Sequence, residues 1–148
     1  MRNLIIGAGG DAQVVADILW RMREHDASLN PVGYLDDNPA LAGQSFIDLP
    51  VLGAIDRLGD IPHEAVVVAI GNNQTRRRVF DTLRERGERI ATAVHPSAVI
   101  APSAEIGVGC MVCAGVNVRA TLAVAPSIIT TRLAITLTLR RARTWAVR

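Results

Sequence analysis

Three short stretches of the 148-residue sequence hold residue types that could bind or transform a ligand. The first is GAGGDA, Gly7 to Ala12, set between an apolar run and an amphipathic one. Glycines let a backbone approach a ligand closely, and the free N–H groups of a helix start attract an anion such as a pyrophosphate. Gly7, Gly9 and Gly10 are the candidates, with Asp11 beside them. The spacing G-x-G-x-x-A also suits a dinucleotide, which keeps NAD as a competing ligand. The second stretch is LDD, where Asp36 and Asp37 close an apolar segment. Acids there can accept from ribose hydroxyls or a base edge; the plainer reading is a polar turn before Asn38-Pro39. The third is IGNNQTRRR. Gly71, Asn72 and Asn73 end an apolar run, and Asn73 or Thr75 is the expected helix cap. Arg76 is the one arginine of the three expected to meet phosphate, Arg77 and Arg78 being read as a solvated face.

The other reactive residue types offer less. The histidines are His25, His63 and His95. His25 beside Asp26 and His63 after Pro62 read as surface residues. Cys110 and Cys113 fit C-x-x-C, but no second Cys or His pair follows them. Both fall in small-residue slots of a repeat, so they read as free thiols and no metal site is expected.

These residues need elements to hold them. RNLIIG is a short buried strand, DAQVVADILWRMREH a helix with Val14, Val15, Ile18, Leu19 and Met22 at helical spacing, and NPVGYLDD a second strand. A connector follows, with an extended piece at Leu49–Leu52 and a helical turn near Ala54–Leu58. AVVVAIGN is a fully apolar strand, NQTRRRVFDTLRERG a helix stopped by Gly87, and RIATAVHP a last strand. Alternation of this kind predicts an α/β fold, a Rossmann-like parallel sheet domain over residues 1–95, whose ligand lies outside the carboxyl ends of the strands.

From Ser97 the pattern changes to a beat of six. Ile100, Ile106, Val112 and Val118 are aliphatic, and Ala98, Ala104, Cys110 and Val116 precede each by two places. After Val118 the beat is read as fading. All fourteen acids lie at or before Glu105 with ten of the Arg, while the remainder carries six Arg, no acid and no Lys. The positive end owes as much to missing acids as to added Arg, so no nucleic-acid partner is expected. Residues 120–139 are about as long as a membrane span, but Pro126, Arg132, a Ser and five Thr dilute them, so no span is expected. With free thiols and no signal peptide, the setting is read as cytoplasmic.

NLIIGAGGDAQVVADIL, VGYLDDNPALAG, LPVLGAIDRL, VVVAIGNNQTRRRVFDTL and TAVHPSAVIAPSAEIGVGCMVCAGVNV occur in that order. Together they resemble the sugar O-acyltransferase family, which includes sialic-acid O-acetyltransferases and UDP-4-amino-sugar N-acetyltransferases. The resemblance covers residues 2 to 119. It implies a nucleotide-sugar-binding domain followed by a left-handed parallel β-helix of hexapeptide repeats, here an incomplete one over residues 96–119 and then an atypical basic tail, 120–148. It implies a UDP-sugar acceptor, acetyl-CoA as co-substrate and a homotrimer. The Gly7–Gly10 loop would hold the diphosphate, Asp36 and Asp37 the uridine part, and Gly53 would line the same site. Asp11 stands where the family commonly has His, which places an acid beside the phosphates. The family's catalytic His lies in a later coil, and none of the three His here occupies that place, so no catalytic residue is assigned. The chain is accordingly expected to be impaired in acetyl transfer and in acetyl-CoA binding, with the trimer in question. Alternatives are a non-catalytic nucleotide-sugar-binding module and an NAD-binding oxidoreductase fragment. Residues 120–148 read as a frameshifted or altered end, or else as a real tail covering the open coil.

Overall fold

The computed structural model describes residues 1–119 and, beyond them, the backbone of two short strands, Ala123–Val124 and Ile129–Thr130. The expectations for the rest of 120–148 lie outside the described residues.

The apolar run at the start forms β1 (Arg2–Ile6), followed by helix α1 (Gly10–His25) and β2 (Asn30–Leu35). A hairpin of β3 (Ser45–Phe46) and β4 (Leu49–Gly53) comes next, then a 3-10 turn at Ile55–Asp60. Strand β5 (Ala65–Val68) and helix α2 (Asn73–Glu85) complete the unit. The sheet order is β3-β4-β2-β1-β5. All neighbouring pairs are parallel except β3 with β4.

Continuous apolar strands demand cover on both faces. Ile5, Tyr34 and Val67 meet Ala12, Val15, Ile18 and Leu19 of α1 on one side. Leu4, Ile6, Leu35, Val66 and Val68 meet Phe80 and Leu83 of α2 and Leu58 of the 3-10 turn on the other. One expected inner residue is corrected: Val14 is 40% exposed. The buried stripe runs Ala12, Val15, Ala16, Leu19, and Val14 lies about 100° round the helix from Val15.

RIATAVHP does not add the strand expected of it. Ile90 makes a single parallel bridge to Val66. Among the described residues, two-residue strands follow at β6 (Ala93–Val94), β7 (Val99–Ile100), β8 (Glu105–Ile106), β9 (Met111–Val112), β10 (Asn117–Val118), β11 (Ala123–Val124) and β12 (Ile129–Thr130). Ala93 pairs with Met111, Val99 with Asn117, Glu105 with Ala123 and Met111 with Ile129, every pair parallel and eighteen residues apart. Three steps of six therefore return the chain to its starting face, one strand higher. Cys110, Val112, Val116 and Val118 are buried together, with Ala98, Ile100, Ala104 and Ile106 packed against them, as the beat of six requires. Two expectations are corrected. The ladder starts at Ala93, so a division at residue 96 would cut it. The beat does not stop at Val118, because β11 and β12 pair in the same register.

The ladder is anchored on the α/β unit. Ala93 and Met111 share the core under α1. Thr92 Oγ donates to the Gly107 carbonyl and accepts from Gly109 N–H, both at 3.1 Å. Gly109 has φ +73°, and a Cβ there would lie 2.5 Å from Phe80 Cε2 and 3.1 Å from Ile90 Cγ2. Gly115 has a similar φ of +70° with open space around it.

Two outcomes follow from this packing. Gly115→Ala carries only the left-handed backbone cost, about 1–2 kcal/mol. Gly109→Ala adds overpacking against buried Phe80, for a total of about 2–4 kcal/mol; urea titration of both variants reads the difference. Tyr34, the only tyrosine, is fully buried and donates to the Phe46 carbonyl at 3.0 Å. Burial pushes its phenol up to about 12. The folded state thus favours the neutral ring: that stabilisation is complete below the ordinary phenol range near 10 and is lost as pH rises towards 12. Absorbance titration at 295 nm should show no phenolate until that window, and stability should fall within it.

Candidate functional site

The chain runs from β1 outward to β2 and β4, then returns to place β5 on the other side of β1. The loops after β1 and β5 diverge at this reversal, which is where open parallel sheets leave a crevice. A cleft of about 350 Å³ opens there, lined by Gly7, Gly9, Gly10, Asp11, Asp36, Ala69, Ile70 and Gly71. Six of the ten residues singled out in the sequence are brought together in it.

The loop is built for close approach. Gly7 has φ +104°, and a Cβ on it would lie 2.6 Å from the Ala69 carbonyl oxygen, so only glycine lets β1 and β5 end side by side. Gly9 is the N-cap of α1 and offers no side-chain cap. The first bond of the helix runs from Gln13 N–H to the Gly9 carbonyl at 3.1 Å. The amides of Gly10, Asp11 and Ala12 thus stand ahead of the helix's own hydrogen bonding, at the positive end of its dipole. Helix α2 is closed differently: Asn72 Oδ1 accepts from Thr75 N–H at 2.9 Å. Asn72 is therefore the cap, in place of the expected Asn73 or Thr75.

Asp36 is structural as well as exposed to the cleft. Its Oδ2 accepts from Ala8 N–H at 2.7 Å and its Oδ1 from Asn38 N–H at 2.8 Å. Gly7 N–H donates to the Leu35 carbonyl at 2.7 Å, and Asp36 N–H to the Gly53 carbonyl at 2.9 Å. The loops after β1, β2 and β4 are tied in series. An acid with both oxygens so engaged is poorly placed to clasp both ribose hydroxyls of a dinucleotide, although each oxygen keeps a further lone pair. Asp37 and Gly53 do not line the cleft. Asp37 Oδ1 caps the 3-10 turn by accepting from Ile55 N–H at 2.9 Å.

Arg76 is buried rather than turned to phosphate. Its guanidinium donates to the Ile70 carbonyl at 3.0 Å and to Asn73 Oδ1 at 2.8 Å, behind the loop that lines the cleft. Burial pushes its pKa down, and the charge of Asp11 opposes that shift. It remains a cation. Arg77 and Arg78 are exposed, as read. Cys110 and Cys113 are not joined to each other by a disulfide, and burial, with a smaller contribution from Asp11, pushes the Cys113 thiol up.

Two histidines have settled places. His63, expected at the surface, keeps only 11% of its side chain exposed. Its ring nitrogens lie 2.6 Å from the Ile61 carbonyl and 3.1 Å from Glu88 Oε2, joining the approach to β5 with the exit from α2. Sequence reasoning missed this pair because its members are 25 residues apart. His95 Nδ1 accepts from Ser97 N–H at 3.0 Å and faces Ser97 Oγ at 2.8 Å, while Ser97 Oγ accepts from Gly115 N–H at 3.2 Å. It holds one ladder turn on the next. Among the described residues no group of three or more His, Cys, Asp or Glu is gathered as for a metal, and no helix is long and apolar enough to cross a membrane.

Comparison with known proteins gives the following. The family model of the PglD N-terminal domain matches residues 3–83. A UDP-N-acetylbacillosamine N-acetyltransferase of Bacillus subtilis (strain 168) is 30% identical over 117 residues, 77% of this chain and 52% of that protein. Among solved structures, a histidine-to-asparagine variant of perosamine N-acetyltransferase from Caulobacter crescentus, in complex with CoA and GDP-perosamine, aligns with a TM-score of 0.76 at 30% identity, over 87% of this chain and 59% of that one. The acetyltransferase domain of PglB from Neisseria gonorrhoeae FA1090, in complex with acetyl coenzyme A, aligns with a TM-score of 0.76 at 29% identity, over 88% and 61%. The chain thus spans about half the length of the curated relative and about three-fifths of each structural one.

The double use of Asp36 has a measurable consequence. Asn at this position keeps one accepting oxygen and turns an NH2 towards the second backbone N–H. Asp36→Asn should cost about 1–3 kcal/mol in urea titration without any ligand. Asp37→Ala, losing an exposed cap, should cost about 0.5–2 kcal/mol.

Proposed function

Since the chain belongs to the PglD N-terminal domain family, we propose that its α/β unit, residues 1–95, is the acceptor-binding part of an acetyl-CoA-dependent acetyltransferase acting on a nucleotide-linked sugar. The observation that carries this reading is the cleft at the reversal of the sheet, where a helix left uncapped by glycine points its amides at the space beside Gly71. A diphosphate satisfies those amides. The Gly7–Gly10 loop receives it, Asp36 accepts from the nucleoside, and Asp37 and Gly53 hold the neighbouring loop. Asn72 and Arg76 act one step back, fixing the start of α2. The ladder from Ala93 is read as the beginning of a left-handed parallel β-helix, the kind of element that would carry acetyl-CoA in a trimer. The setting is read as cytoplasmic.

The 148-residue chain itself holds no His after His95, and the Nδ1 of His95 is engaged by Ser97. That favours a second reading for this chain taken alone: it binds the nucleotide sugar without transferring acetyl. Absence of a general base costs about 10²–10⁴ in rate.

Calorimetry with UDP- and GDP-linked sugars, NAD and acetyl-CoA tests both readings. The expected result is binding of a nucleotide sugar, no binding of NAD or acetyl-CoA, and no CoA release in a thiol assay. Tight NAD binding with no nucleotide-sugar binding would overturn the family reading of the cleft. Micromolar acetyl-CoA affinity in a discrete trimer would overturn the non-catalytic one.

A further inference from the structure

We propose that the Gly71 N–H is a further diphosphate donor of the cleft, facing the amides of α1 from the β5 wall, and that Arg76 is the positioning residue that turns it there. The inference rests on the reading of the cleft given above and deepens it by one donor atom and the side chain that aims it.

The two helices lie on opposite faces of the sheet, α1 over Ile5, Tyr34 and Val67 and α2 over Ile6, Val66 and Val68. Arg76 stands on the buried stripe of α2 with Phe80 and Leu83 and is only 8% exposed. Its guanidinium donates to the Ile70 carbonyl at 3.0 Å, so that carbonyl is directed to the α2 side. The peptide bonds of the described residues are trans. Across a trans peptide the next N–H points away from the carbonyl. The Gly71 N–H is therefore directed to the α1 side. Ile70 and Gly71 both line the cleft there, and Arg76 does not. The opposite wall is close: a Cβ on Gly71 would lie 3.2 Å from Asp11 Oδ2. Among the described residues no hydrogen bond engages the Gly71 N–H, from Asp11 or from any other acceptor. Gly71 is exposed, so this donor is open to a ligand.

Arginine suits the task. The same guanidinium donates to Asn73 Oδ1 at 2.8 Å. One planar fork thus ties the exit of β5 to the first turn of α2, in two fixed directions that the point charge of a lysine does not supply. A cation on the carbonyl also polarises the peptide it holds and makes its N–H a stronger donor. A ligand oxygen meets that N–H without meeting the guanidinium. Arg76 acts on the anion through the Ile70–Gly71 peptide. A purely structural Arg76 would steady α2 and have no effect on a ligand.

Proton–nitrogen correlation NMR on the full chain, with UDP and GDP as probes, separates these cases. In wild type the Gly71 amide should shift downfield together with those of Gly10 and Asp11 as a diphosphate binds. Arg76→Met and Arg76→Gln remove the charged fork; circular dichroism checks their folding. Each should weaken binding about tenfold and abolish the Gly71 shift while Gly10 and Asp11 still respond. Phe80→Leu loosens the same face of α2 without touching the peptide, and should keep the Gly71 shift and an affinity within about threefold of wild type. A Gly71 amide that stays still in wild type while Gly10 and Asp11 move overturns the inference and leaves the nucleotide site standing. An unchanged affinity and Gly71 shift in the Arg76 variants, or an equal loss in Phe80→Leu, overturns the role of Arg76. Failure of both probes to bind wild type overturns the nucleotide reading and this inference with it.

Discussion

The bond from Ala8 N–H to the Asp36 carboxylate decides where the rest of the site can be. Without it the glycine loop would have no fixed relation to the end of β2, because glycines supply freedom and not direction. With it, the loop after β1 is held to the loop after β2, which is held in turn to β4 through Asp36 N–H and Gly53. The amides of α1 then face a defined space. The same carboxylate closes the turn at Asn38, so the acid is part of the scaffold before it meets any ligand.

The two helix starts show how a single sheet can dedicate one dipole and silence the other. At α2 an asparagine covers the amides, and a buried guanidinium braces the strand exit behind them. At α1 the cap is glycine, and among the described residues no side-chain cap hydrogen bond closes it. An acid in the first turn of α1 tempers its attraction for anions. The cleft therefore sets backbone amides and carboxylates side by side.

Much of this was legible in the residues. The strand, glycine loop and helix of Leu4–Leu19 announce themselves by periodicity, and so do the inward positions of the beat of six. Arg76 was harder, since three arginines in a row look alike. The distinguishing signal is that Arg76, Phe80 and Leu83 share one helical stripe, and the structure buries all three. The identity of the α2 cap depended on a one-residue choice between two asparagines, which propensity cannot make. Strand character in RIATAVHP was readable, but a strand's composition does not name its partner. Only Val94, six places before Ile100, hinted that the segment belongs to the ladder. The same arithmetic extends forward, where Val124 follows Val118 and Leu122 follows Val116, a signal obscured by the arginines around it. The doubled role of Asp36 and the pairing of His63 with Glu88 are contacts across distant loops, which no local pattern encodes.

The eighteen-residue pairing constrains how such a segment can change in length. Inserting one residue between β8 and β9 would turn Val112 outward and shift every later pairing by a place. A change of six would restore the inward residue but move the strand to another face. Only a change of eighteen preserves both face and partner. Surface turns of the α/β unit, such as the exposed stretch around Ala42 to Gln44, face no such rule and can drift in length freely. The two halves of the chain therefore tolerate changes of length differently. One can change length residue by residue in its loops, while the other keeps both face and partner only in steps of a whole coil.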